Sequence, residues 1–170
     1  MQRTTQITFM LAALLLATVV LAGPKAAPPA DHYDIAQTVV KMPLADGVSP
    51  DDAIEALQSK AIGLNMKLVA HQPLSKELAA RGVKSGRLEI FQFCNPNDAH
   101  EMVVYNPIFA AYMPCRIALV EDNDGKYWLM MINLDMLINN AELPPKQKAI
   151  ATRINDTLMA IMKAGATGEF

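Results

Sequence analysis

The sequence lacks the residue patterns that identify most hydrolases and phosphate-binding enzymes. Its 170 residues contain no H-E-x-x-H, no glycine-rich phosphate loop and no nucleophile elbow. Lysine and arginine are interspersed with acidic residues, the formal net charge is −2, and no basic run neutralises several phosphates. These absences argue against hydrolytic catalysis and against nucleic acid as a partner. We therefore predict a protein that is not an enzyme.

Cysteine is also scarce, since the chain has only Cys94 and Cys115. Their separation is unlike the C-x-x-C of dithiol oxidoreductases, and no C-x-x-C-H haem attachment motif is present. Neither cysteine has a basic sequence neighbour other than Arg116, so a thiolate with a lowered pKa is not expected. The cysteines are nevertheless central, because the region around them also contains the single tryptophan, Trp128.

The N-terminus has the layout of an export signal. Arg3 precedes an almost continuously apolar run at residues 9–21, and small residues before position 23 suit signal peptidase. We predict a signal peptide at 1–22, a disordered Pro/Ala linker at 23–31 and one domain at 32–165, located in the periplasm or secreted. The alternative is an uncleaved membrane anchor, although the run is shorter than the roughly 20 residues that span a bilayer. A membrane partner follows only from that alternative.

The remaining sequence predicts an α+β domain in which helices cover one face of an antiparallel sheet. Period-two alternation and β-branched residues predict strands at 32–42, 66–73, 88–93, 115–121 and 126–132. In the third strand Glu89, Phe91 and Phe93 share one face, and the turn residues at 122–125 predict that the last two strands form a hairpin. Helical periodicity and capping signals predict helices at 50–63, 75–81 and 97–105, and a last helix that opens at Pro144-Pro145 and frays at 165–170. Ser49 and Asp52 form a capping-box pattern, and Ser75 is the expected cap of the short second helix. His71 lies in a predicted strand that offers it no partner, so a structural role is expected.

Three motifs carry a resemblance to a known family. They are F-C-N-P at 93–96, M-P-C-R at 113–116 and E-D-N-D-G-K at 121–126. Over most of residues 34–164 the chain resembles the domain-of-unknown-function-302 family. The resemblance implies a TATA-binding-protein-like fold with the order β-α-β(4)-α, which agrees with the elements read from the residues. It implies no biochemical role.

In that fold the third and fourth strands are antiparallel neighbours, which implies that Cys94 and Cys115 meet at one edge of the sheet. An even cysteine pair in an exported protein favours a disulfide, which would contribute about 3 kcal/mol to stability. Two alternatives use the same cysteines. One is a redox-active pair, and the other is a soft-metal site for Cu(I) completed by His100, Met102 and Met113. No cofactor is expected, and copper is the alternative.

These observations together predict an exported, non-catalytic binding or accessory domain. Its partner is an unidentified small ligand or an exported protein. The candidate ligand cleft lies near the cysteine edge and uses Asn95, Tyr105, Tyr112 and Arg116. The alternative function is thiol redox chemistry or copper handling through the two cysteines.

Overall fold

Alternating apolar and polar residues build one five-stranded sheet in residues 34–169, the part of the chain that the computed structural model describes. Every neighbouring pair of strands is antiparallel, in the spatial order β1-β5-β4-β3-β2. The strands are β1 (Val39–Pro43), β2 (Lys67–Gln72), β3 (Leu88–Cys94), β4 (Cys115–Glu121) and β5 (Tyr127–Ile132). The predicted signal peptide and linker lie outside the described residues.

Two long helices and three short ones connect or cover these strands. They are α1 (Pro50–Gly63), α2 (Leu74–Ala80), α3 (Pro96–Tyr105), α4 (Leu134–Asn140) and α5 (Pro145–Thr167), with 3₁₀ helices at Ile35–Thr38 and Pro107–Tyr112. The predicted capping box of α1 is present, because Asp52 N donates to Ser49 Oγ at 3.1 Å and Ser49 N donates to Asp52 Oδ2 at 3.3 Å. No helix within residues 34–169 has the length and apolar character needed to cross a membrane.

The core lies between the sheet and the helices α1 and α5. In β3 the core-facing residues are Glu89, Phe91 and Phe93, all buried, while the residues between them are only partly buried. Leu57 of α1 and Leu158 of α5 are also buried and belong to the same cluster. Fully burying each such side chain stabilises the fold by about 1.5–3 kcal/mol. This alternation was predicted from the sequence and fixes which face of the sheet the helices cover.

The structure confirms the α+β fold and the order β-α-β(4)-α, and it corrects four local predictions. The first strand, predicted at 32–42, begins only at Val39, because Ile35–Thr38 forms a 3₁₀ helix that the Asp34 side chain caps. Helix α2 begins at Leu74 after Pro73, so Ser75 lies inside the helix and provides no cap. Helix α4 was not predicted. The last helix does not fray at residue 165 but continues to Thr167, because Gly165 and Ala166 are buried against the core.

Candidate functional site

A cavity of about 520 Å³ lies at the end of the sheet where β3 ends and β4 begins. Helices α3, α4 and α5 and the 3₁₀ helix Pro107–Tyr112 surround it. Its floor is made of buried side chains, namely Met66, Phe93, Met102, Ile138 and Ile150. Its mouth is formed by lining residues that remain exposed, among them Ile108 (62%), Tyr112 (56%) and Leu137 (39%). The cavity therefore has an apolar interior that communicates with solvent.

Two asparagines direct the chain around this cavity. Asn95 follows β3 and caps α3, because its side-chain oxygen accepts hydrogen bonds from the backbone N–H groups of Asn97 at 3.1 Å and Asp98 at 3.2 Å. Asn106 caps the following 3₁₀ helix by accepting from the backbone N–H of Ile108 at 3.0 Å. Each is followed by a proline that suits a first helical position. The two sharp changes of direction hold α3 and the 3₁₀ helix as walls of the cavity.

The predicted disulfide is wrong, since Cys94 and Cys115 are both free thiols and are not adjacent. The strand register explains the difference. Cys115 lies opposite Phe93 of β3, whereas Cys94 lies opposite Lys67 of β2. Because of this offset of one residue, the two cysteines are not cross-strand partners, although both lie at the end of the sheet and line the same cavity.

Burial determines the protonation state of both thiols. It raises the pKa of Cys115 to about 11, and an electrostatic contribution from Cys94 adds to the shift. Burial also raises the pKa of Cys94, with a further contribution from the negative charge of Asp98. Both side chains are therefore protonated at neutral pH. Protonated thiols are weak nucleophiles and poor metal ligands.

The cavity brings together some of the predicted site residues. Cys94, Asn95, Met102, Met113, Cys115 and Tyr112 all line it. Tyr105 lies next to the lining, with its ring centroid 6.2 Å from that of Phe109. His100 is exposed on α3 and is not part of the lining. Arg116 is exposed on β4, on the sheet face opposite the buried Ile117. In residues 34–169 no three His, Cys, Asp or Glu side chains are grouped as metal ligands.

The structure contains a polar network that the sequence did not predict. Glu89 is 2% exposed, and its carboxylate accepts from Arg87 Nε at 2.6 Å and contacts His71 Nε2 at 2.6 Å. Arg87 also donates from Nη2 to Asp51 Oδ1 at 2.6 Å. The His71 ring stacks on Phe91, with centroids 4.4 Å apart. The sequence does contain one signal that could have revealed this network, namely the acidic residue Glu89 on the core-facing side of an apolar strand.

This network joins the start of α1 to the sheet. Burial alone would raise the pKa of Glu89, but the hydrogen bonds and charges of Arg87 and His71 outweigh it and lower the pKa below its ordinary value. Both carboxylate oxygens already have partners within the domain. Buried polar groups in proteins are normally hydrogen-bonded within the fold, so this arrangement indicates a structural role for Glu89 and its partners. We assign His71 to this structural role, with Glu89 as the partner that its own strand did not reveal.

Comparisons with known proteins agree with the fold. A family model described as a domain of unknown function, DUF302, matches residues 40–164. An uncharacterized protein of Aquifex aeolicus (strain VF5) is 28% identical over 93 residues, which are 55% of this chain and 59% of that protein. The match therefore spans less than two thirds of that relative's length.

A solved structure shows the same fold. The crystal structure of an uncharacterized conserved DUF302 protein from Bacillus stearothermophilus matches with a TM-score of 0.62 and 22% sequence identity. The match covers 75% of this chain and 97% of that chain. Because the family match extends over residues 40–164, most of the chain, the protein belongs to the DUF302 family.

Proposed function

We propose that this domain binds an uncharged, largely apolar small molecule in the cavity and acts as a binding or accessory protein without catalysis. The observation that carries the proposal is the cavity itself, which has a volume of about 520 Å³ and a floor of buried apolar side chains. Small-molecule sites in proteins are mostly apolar concavities of about 300–1,000 Å³. The exposed mouth gives a ligand a route into the cavity.

The charges around the cavity indicate what kind of molecule it accepts. Among the described lining residues the charged side chain is Asp98, and it is paired with Arg153. The side-chain oxygen of Asn95 is occupied by the backbone of α3. A charged group carried to the floor would lose its hydration without gaining a partner, and this is strongly unfavourable. The buried part of the ligand is therefore uncharged.

A matched pair of alanine substitutions on α5 tests the proposal. Ala151 lines the cavity, whereas Ala149 is exposed on a different side of the same helix. Wild-type protein should enhance the fluorescence of the uncharged probe N-phenyl-1-naphthylamine with saturable binding. Ala151→Phe fills the cavity and should weaken that binding at least tenfold, while Ala149→Phe should bind like the wild type. Circular dichroism verifies that both variants are folded, and Ala99→Phe replaces Ala151→Phe if the latter is not.

The proposal fails if the wild type does not bind the probe saturably. It also fails if folded Ala151→Phe and Ala149→Phe bind the probe with equal affinity, because the probe would then occupy another surface.

A second candidate function is thiol redox chemistry or copper handling. The observation that favours it is that Cys94 and Cys115 are free and line the same cavity as Met102 and Met113. Thiol and thioether sulfurs are ligands that Cu(I) prefers. Competition for Cu(I) against bicinchoninate tests this candidate, with Cys94→Ser and Cys115→Ser as variants. Equal copper retention by wild type and both variants would contradict it.

The predicted location also belongs to this proposal. We propose that the domain functions in the periplasm or is secreted, on the basis of the apolar N-terminal run and the small residues before position 23. The intact mass of the native protein tests it, since cleavage leaves a chain that begins at residue 23. A full-length protein recovered from the membrane fraction would support the uncleaved anchor instead.

A further inference from the structure

The lining of the cavity is unusually rich in sulfur. The whole sequence has 11 methionines and 2 cysteines, and six of these 13 residues line this one cavity. They are Met66, Cys94, Met102, Met113, Cys115 and Met136. They come from several different parts of the fold, since Cys94 ends β3, Met102 is in α3, Cys115 begins β4 and Met136 is in α4. The sulfur-containing residues of the lining therefore come from separate segments of the chain.

Aromatic side chains complete this polarisable surface. Phe93 is on the floor, and Phe109 and Tyr112 belong to the 3₁₀ helix at the mouth. The rings of Tyr105, Phe109 and Tyr112 form a row, with successive centroids 6.2 and 6.4 Å apart and planes tilted by 41° and 47°. These separations and tilts are typical of favourable aromatic pairs. Phe109 and Tyr112 of this row also line the cavity, so a flat ring bound at the mouth would contact aromatic side chains.

Two kinds of ligand suit sulfur, namely soft metal ions and aromatic rings. A metal ion needs its donors to converge on one point about 2.3 Å from each sulfur. Here the two cysteines are not adjacent, and their thiols are protonated at neutral pH. Thioether sulfur attracts aromatic rings at about 5 Å and contributes about 0.3–1.5 kcal/mol for each contact. That longer range suits sulfurs distributed over the wall of a cavity of about 520 Å³.

We propose that the ligand is an uncharged molecule with a flat aromatic or conjugated ring system, which binds among the sulfur side chains with its ring continuing the aromatic row at the mouth. This inference rests on the proposed binding function and adds the chemical class of the ligand. It assigns the methionines of the lining a role in selecting rings over saturated hydrocarbons.

Naphthalene and decalin form a matched pair for the test, since both have the same fused carbon skeleton and only naphthalene is flat and aromatic. Each is titrated against wild-type protein loaded with N-phenyl-1-naphthylamine. Naphthalene should displace the probe at a lower concentration than decalin. Met102→Leu keeps an apolar side chain of similar size but removes one sulfur, so the preference for naphthalene should fall about two- to tenfold. Met162→Leu is the control, because Met162 is buried in the core and is not part of the lining.

Three results would overturn the inference. The first is displacement by decalin at the same or a lower concentration, which leaves the proposed binding function intact and refutes only the aromatic class. The second is an equal loss of preference in Met102→Leu and Met162→Leu. The third is stoichiometric displacement of the probe by Cu(I) that is absent in Cys115→Ser, which would identify a metal site. Failure of the proposed binding function would be recognised by a different result, because Ala151→Phe and Ala149→Phe would then bind the probe equally.

Discussion

The close contact between α1 and α5 makes Gly165→Ala a demanding test of the packing. A Cβ added at Gly165 would lie 2.5 Å from Leu57 Cγ, 2.8 Å from Leu57 Cδ2 and 3.0 Å from Leu129 Cδ1. Real Cβ atoms essentially never approach other heavy atoms closer than 3.0 Å. Leu57 and Leu129 have no exposed surface, so neither side chain has free space into which it can rotate. The two helices must therefore separate, or the core must rearrange.

The expected loss of stability is the difference between two effects. Overpacking a well-filled core costs about 1–3 kcal/mol, and the shortest contact here involves a branching carbon, which places Gly165→Ala in the upper part of that range. Replacing glycine by alanine within a helix contributes about 1 kcal/mol in the opposite direction. The net free energy of unfolding should therefore fall by about 1–2 kcal/mol. For a domain of this size that corresponds to a decrease in Tm of about 4–8 °C.

Gly63→Ala is the matched control, because Gly63 is the last residue of α1 and a Cβ there would meet nothing within 4 Å. This variant should keep its stability or gain up to about 1 kcal/mol. Urea unfolding of both variants, followed by circular dichroism and by the fluorescence of the single tryptophan, measures the difference. If Gly165→Ala proves as stable as Gly63→Ala, the helices do not approach each other as closely as described.

Two further predictions concern the buried charge and the thiols. Because the pKa of Glu89 is lowered in the native state, its contribution is complete above the ordinary value of 4.5 and is lost as the pH falls through the lowered value. Glu89→Gln should destabilise the domain by about 1.5–3 kcal/mol at neutral pH and reduce the loss of stability on acidification. Urea unfolding midpoints measured between about pH 7 and pH 3 test this, and a variant whose midpoint falls with pH as steeply as that of the wild type would contradict it. Iodoacetamide should alkylate Cys94 and Cys115 without prior reduction, and the rate of alkylation at Cys115 should still rise as the pH approaches about 11. Mass spectrometry measures the alkylation, and complete protection of both cysteines before reduction would contradict the free thiols.

Much of the fold could be predicted because it depends on local patterns. The alternation in β3 identified Glu89, Phe91 and Phe93 as one face, and the turn residues after Glu121 identified the hairpin of β4 and β5. The capping box at Ser49 located the start of α1. Each of these signals lies within a few residues of the structure that it specifies. Helix α4 was missed because it has only seven residues, too few for a helical period to be distinct.

The candidate site could be predicted only in part. The sequence identified residues 91–131, which contain both cysteines and the single tryptophan, as the region of interest, and Cys94, Asn95, Met102 and Met113 do line the cavity. It did not predict the contributions of Met136 and Ala151, because Met136 belongs to α4, which was missed, and the sequence does not specify how α5 packs against α3. Nor did it predict that Glu89 would join His71 to Arg87, since the partner of a buried charge is chosen by strand pairing.

The sequence by itself determined the strands, the faces of the main helices and the family, because these depend on periodicity and on short motifs that neighbouring residues specify. Only the tertiary structure decided that Cys115 lies opposite Phe93 and not opposite Cys94. A shift of one residue in strand register leaves the alternation pattern of each strand unchanged but determines whether two thiols meet. The cavity that carries the proposed function arises in the same way, from the packing of α3, α4 and α5 around the end of the sheet.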